Sequence, residues 1–140
     1  MDGPASHWLL LHGAIVLVVG LLAGFPFLAA IVAGWGGEAQ RPWRVAHTVL
    51  VIDGMMLLLA GLVLPHAALG ATASAVATWT LVASGYGFVF ALVGGAVTGI
   101  RGLTPRPWGL NTVLYLGHAV GAAGSLVGTV LLAYGLVTAL

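Results

Sequence analysis

The sequence predicts an all-α integral membrane protein, an up-down four-helix bundle in one domain over residues 1–140, and three observations predict it. Hydrophobic residues make up 61% of the chain and charged residues 5%, with a mean hydropathy of +1.14. A soluble globule needs about 25% charged residues to dress its surface. The apolar residues fall into four runs of about 20 or more, the length that a ~30 Å hydrocarbon core demands. The breaks between the runs are short and polar, so successive helices are expected to be antiparallel neighbours.

The first span is placed at Trp8–Ala33. The stretch before it, Met1 to His7, carries no positive charge, and the apolar run is too long for a signal-peptide core of about 7–15 residues. It reads as a retained span. Pro26, between Phe25 and Phe27, removes a backbone hydrogen bond and is expected to kink the helix, as a tolerated membrane proline rather than a functional hinge. The second span is placed at Val45–Leu64 after a break at Gly34–Arg44, the third at Ala73–Ile100 after Pro65–Thr72, and the fourth at Leu110–Thr138 after Arg101–Gly109. Trp8, Trp35, Trp43 and Trp108 fall at span ends and Trp79 early in the third, as an interfacial aromatic belt would have it.

All four arginines, Arg41, Arg44, Arg101 and Arg106, lie in the first and third loops, on one side of the membrane. The positive-inside rule makes that side cytoplasmic, unless the arginines are there to pair with an anionic ligand group. The 22 glycines include the pairs Gly20/Gly24, Gly95/Gly99, Gly117/Gly121 and Gly124/Gly128, spaced as helix-helix seams. The fourth helix carries two such pairs and should be buried on that face. Four helices enclose little room for a large ligand, so a site of any size is expected at a subunit interface of an oligomer.

A net charge of +1 with no lysine leaves no basic patch for phosphates, which argues against a nucleic-acid partner. Zero cysteines exclude a disulfide framework, an iron–sulfur cluster and thiolate haem ligation. Any metal would be held by His, Tyr or carboxylate.

Asp53 is the only charge that falls inside an apolar run, where a carboxylate costs roughly 2.5–3.5 kcal/mol and usually faces a partner, cavity or cofactor. Counting about 1.5 Å per residue from the arginine side, His47 lies just inside the surface, Tyr115 at roughly 8 Å, and Asp53 and His118 both at roughly 12 Å. That convergence suits a metal, haem or proton-transfer site. Asp53 and His118 could equally be a buried pair that fixes helix register. His12 and His66 sit near the opposite surface and read as interfacial residues without a ligand, and His7 as a solvated terminus. Tyr86, deep in the third span, reads as core before cofactor contact.

In these residues the chain resembles the bacterial styrene oxide isomerases. The likeness runs through His12-Gly13, Trp43-x-x-Ala46-His47, Gly54-Met55-Met56, Val63-Leu64-Pro65 and Arg101-Gly102-Leu103-Thr104, in one order and with the same four-span layout. The resemblance implies a multi-pass enzyme of the bacterial inner membrane, a homotrimer that binds haem b between neighbouring subunits, with His47 as the axial ligand of the iron. It implies a ferric haem acting as Lewis acid on a small hydrophobic aryl epoxide that reaches the site from the lipid bilayer. The benzylic C–O bond opens toward a carbocation, a 1,2-hydride shift gives the aldehyde without net redox, and an apolar pocket keeps out water that would trap the cation as a diol. Arg41, Arg44 and Arg101 would then meet the haem propionates.

Three positions depart from the family pattern. Asp53 stands where the family has an active-site asparagine, Leu92 where it has a tyrosine, and Ser84 where it has an aspartate. Asp53 is expected to line the distal pocket, as a carboxylate beside the cation or as a neutral acid donating a hydrogen bond. Tyr115, or else Tyr86, is the candidate to replace the missing phenol. A second reading is a haem carrier or electron-transfer protein on the same scaffold with His118 as second axial ligand, and a third is a cofactor-free structural or transport subunit.

Overall fold

The computed structural model describes residues 4–140, so the first three residues of the N-terminal stretch lie outside the described residues. Four helices follow one another: α1 Pro4–Val32, α2 Gly37–Val63, α3 Ala71–Thr98 and α4 Leu110–Val137, with a short 3-10 turn at Leu64–His66 between α2 and α3. All four are long and apolar enough to cross a membrane. No strand occurs among the described residues. A chain in lipid must satisfy its backbone internally, and runs of Leu, Val, Ala and Gly do so as helix.

The largest difference from the expected spans is at α2, which begins at Gly37, inside the stretch expected to be a break. Hydropathy marks where lipid ends, whereas the helix continues beyond it. Gly36 precedes it with extended backbone, Glu38 stands in its first turn where the helix dipole favours a carboxylate, and residues 37–39 are exposed. The 3-10 turn then takes up Leu64, and Pro65 closes off any continuation. α1 starts four residues before Trp8 and continues through Pro26 without interruption. α3 stops at Thr98 rather than Ile100 because Gly99 takes a left-handed φ of 73° and donates its N–H to the Gly95 carbonyl. Gly99 is therefore a cap, and Gly95/Gly99 is not an interhelical seam.

The other small-residue pairs do bring backbones together. A Cβ at Gly20 would lie 2.6 Å from the Val51 nitrogen of α2, and one at Gly13 would lie 2.8 Å from that of Leu58. On α4, a Cβ at Gly117 would lie 3.0 Å from the Gly87 oxygen and one at Gly124 2.5 Å from that of Thr80, both on α3. The molecule is thus two tight pairs, α1 with α2 and α3 with α4, joined through α3, which also packs on α1 and α2. α2 and α4 scarcely touch. Between them runs a seam that the packing leaves open.

The apolar core, Leu9, Leu57, Ala60, Leu64, Leu81 and Val82, sits toward the end opposite the arginines. At the arginine end the loop after α3 is tied to the start of α4. Thr112 donates to the Pro105 carbonyl (2.8 Å) and Asn111 to that of Thr104 (2.8 Å), while Arg101 reaches Glu38 of α2 at 3.3 Å.

Candidate functional site

His47 faces α1. Its Nδ1 lies 2.9 Å from the Gly20 carbonyl, which only accepts, so Nδ1 carries the proton and donates it. The tautomer that results leaves the Nε2 lone pair free. A histidine ligand oriented through its other ring nitrogen by a backbone carbonyl is the usual arrangement at metal sites. Gly24, one turn on, makes room for the ring: a Cβ there would sit 3.0 Å from Nδ1 and 3.2 Å from Cε1. Gly20 and Gly24 are legible in the sequence as a seam; that the same seam seats and orients His47 emerges only from α1 and α2 lying side by side.

Asp53 points elsewhere. Six residues after His47, it is about 240° further round α2 at 100° per residue, which turns it toward α3. A Cβ on Gly85 of α3 would come within 3.3 Å of Asp53 Oδ2. Asp53 is 6% exposed, and Oδ2 has no hydrogen-bond partner. Below it, away from the arginine end, lies a chamber of about 190 Å³ on the α2–α4 seam, walled by Met56, Leu57, Ala60, Leu81 and Leu132, with Ser125 and Thr129 of α4 among its few polar groups.

At the arginine end, between the first turns of α2 and the last turns of α3 with the loop after it, lies a larger cavity of about 560 Å³. Trp35, Arg41, Trp43, Leu92, Arg101 and His118 line it. His118 donates from Nε2 to the Arg101 carbonyl at 3.2 Å, so only its Nδ1 remains free. The buried pair of Asp53 and His118 weighed from the sequence does not form: His118 bonds the Arg101 carbonyl and lines the large cavity, whereas Asp53 lies against Gly85 and lines the smaller one.

Arg41 and Arg101 line the large cavity, whereas Arg44 is exposed and lines neither. Tyr115 is half-buried on α4 and lines neither cavity. Tyr86 is turned away from both, toward α1, where its hydroxyl lies 2.8 Å from His12 Nδ1. His12 stacks on Trp8 at 5.8 Å and Trp79 closes the group. His12 is part of an interhelical aromatic cluster. Ser84, fully buried, donates to the Gly121 carbonyl at 2.6 Å and locks α3 to α4.

Among the described residues no three His, Cys, Asp or Glu side chains gather as a metal set. His47, oriented by Gly20, and the cavity that Arg41 and Arg101 line are the candidate groups for holding a cofactor. Haem requires one axial protein nitrogen and partners for its propionates.

Four apolar helices, each long enough to span a membrane, define the class as all-helical and multi-pass. The family model described as styrene oxide isomerase matches residues 5–137, and the chain belongs to that family. No curated protein and no solved structure matches it.

Proposed function

We propose that this protein is a membrane isomerase that converts an aryl epoxide to the aldehyde, using ferric haem b held by Nε2 of His47, in a homotrimer of the bacterial plasma membrane. Family membership supports the isomerase class. The observation that carries the haem reading is the His47 hydrogen bond to Gly20, which fixes the one tautomer able to ligate through Nε2.

When bound, the ferric haem supplies a positively charged centre that polarises the epoxide oxygen. The chain's own residues do the rest. Arg41 and Arg101 stand at the cavity's rim to receive carboxylates, and Trp35 and Trp43 give it flat apolar walls. Leu92 adds bulk without a hydroxyl. Asp53 presents a carboxyl oxygen with no competing partner, placed to steady positive charge developing at the adjacent carbon. Leu92, Ala91 and Ala96, with the tryptophans, form the apolar part of the lining, where water that would divert the cation to a diol is kept away.

His47 faces α1 and does not line the large cavity, although Trp43, one turn before it, does. A haem held by His47 would need further walls, and a neighbouring subunit is the proposed source of them.

The test is an absorption spectrum of the detergent-purified protein beside His47→Ala, ferric and dithionite-reduced. The expected result is a Soret band of five-coordinate, high-spin ferric haem that is lost in the variant, with conversion of styrene oxide to phenylacetaldehyde by the wild type alone. A low-spin six-coordinate spectrum would place the protein with haem carriers. No band, and no uptake of added haem, would end the haem reading.

A further inference from the structure

We infer that the arginine end is a docking surface for anionic phospholipid, on which Arg44 and Arg106 bind headgroup phosphates while Leu103 and Trp108 enter the boundary between headgroups and acyl chains. The inference stands apart from the isomerase reading: Arg44 and Arg106 line neither cavity, whereas Arg41 and Arg101 line the large one.

Charge comes first. A net charge of +1 is too small to hold a nucleic acid, yet it is unevenly placed. All four arginines stand at one end, and the one acid beside them is Glu38; Asp53 is buried in the bundle and Asp2 precedes α1. Glu38 reaches Arg101, at 3.3 Å, and that is the one ion pair among the described residues. Arg44 and Arg106 are exposed and have no acid partner.

Depth is next. Arg44 immediately precedes the apolar run that starts at Val45, and Arg106 comes four residues before Leu110, where α4 begins. Both therefore stand where the hydrocarbon ends and lipid phosphates begin. An arginine at that level lays its aliphatic stem on apolar surface and offers phosphate a planar fork of donors.

The loop after α3 is built as a fixed surface rather than a slack connection. It turns at Gly99, Gly102 and Gly109, all with positive φ, and Gly102 is pressed so closely on α4 that a Cβ would lie 2.5 Å from Leu114 Cβ. Thr104 donates to the Arg106 carbonyl at 2.7 Å, which adds to the ties from Asn111 and Thr112. So held, the loop leaves Leu103 66% and Trp108 76% exposed. The Arg106 guanidinium carbon lies 6.0 Å from the centre of the Trp108 ring, so cation and aromatic ring are presented together. A phospholipid answers both, with phosphate for the cation and an interfacial, half-apolar layer for the ring. Free phosphate answers only the first. An anionic headgroup has no cation of its own to compete, which makes the surface selective.

The test is native mass spectrometry of the detergent-purified full chain, titrated with dioleoyl phosphatidylglycerol or with dioleoyl phosphatidylcholine. The expected result is tighter binding of phosphatidylglycerol, weakened about fivefold by Arg44→Gln and again by Arg106→Gln, with phosphatidylcholine binding unchanged. Arg106→Lys should keep most of the preference, which separates loss of charge from loss of fold. Trp108→Ala should weaken both lipids, and millimolar inorganic phosphate should displace neither. The inference is overturned if the two lipids bind alike, if the glutamine variants weaken both equally or neither, if Trp108→Ala changes nothing, or if inorganic phosphate competes. It is overturned too if Arg44→Gln and Arg106→Gln remove haem while lipid binding is retained, since both arginines then serve the cofactor.

Discussion

At the scale of single residues the decisive pair is Gly24 and His47. A methyl at Gly24 meets the imidazole at 3.0–3.2 Å, so the ring has to shift by a few tenths of an ångström, and its bond to the Gly20 carbonyl is what gives way. We expect Gly24→Ala to lower haem affinity, and Gly24→Val to abolish it with most of the fold retained; the measure is haem titration against helical content by circular dichroism. Losing a group that orients a metal-binding histidine typically costs about 10–100-fold in affinity, and that is the range expected for Gly24→Ala. Asp53→Ala should reduce kcat while haem binding stays intact, since Asp53 is turned away from His47 on α2. Tyr115→Phe should leave kcat near the wild-type value, because Tyr115 lines neither cavity. An equal drop in both variants would restore Tyr115 to the reaction.

At the scale of helices, the α3–α4 pair depends on backbone approach along Gly117, Gly121, Gly124 and Gly128, with Ser84 as its polar clasp. Ser84→Ala removes a buried donor and leaves the Gly121 carbonyl with only its backbone bonding. The expected loss is about 1 kcal/mol in a thermal or denaturant unfolding measurement, with unchanged substrate specificity. Much of this level was readable in the chain. Four apolar runs, tryptophans at their ends and glycines at four-residue spacing specify four closely packed membrane helices, because each feature answers to lipid or to a neighbouring backbone. The start of α2 was not readable, since polar residues and Pro42 look the same in a loop and in a helix that has left the lipid. Nor was the fate of individual glycines: Gly95/Gly99 has the spacing of a seam, but Gly99 ends its helix. The facing of side chains was the least legible. Depth can be counted along one helix, and it put Asp53 and His118 level, but rotation about each axis depends on which helices are neighbours, and that separated the two and sent Tyr86 to His12.

At the scale of the whole molecule, His47 and the large cavity are proposed to be two halves of a site shared between subunits. His47 is seated against α1, Leu92 lines the large cavity between α2 and α3, and Asp53 lines the smaller one on the α2–α4 seam. In a closed ring of identical subunits each histidine would face the large cavity of the next copy, and every interface would be the same. This arrangement predicts complementation between two inactive variants. His47→Ala removes the ligand, and Ala96→Trp fills the large cavity that Ala96 lines. Each alone should be inactive. Co-expressed in equal amounts and isolated as mixed trimers, they should recover roughly a third of wild-type activity, since one of the three interfaces in each ring then joins an intact histidine from one chain to an intact cavity from the other. A site built within one chain gives no recovery at all, because neither polypeptide carries both halves. The measurement is the haem content and epoxide turnover of doubly tagged, mixed oligomers. Recovery of both together would establish that the catalytic unit is the interface rather than the bundle.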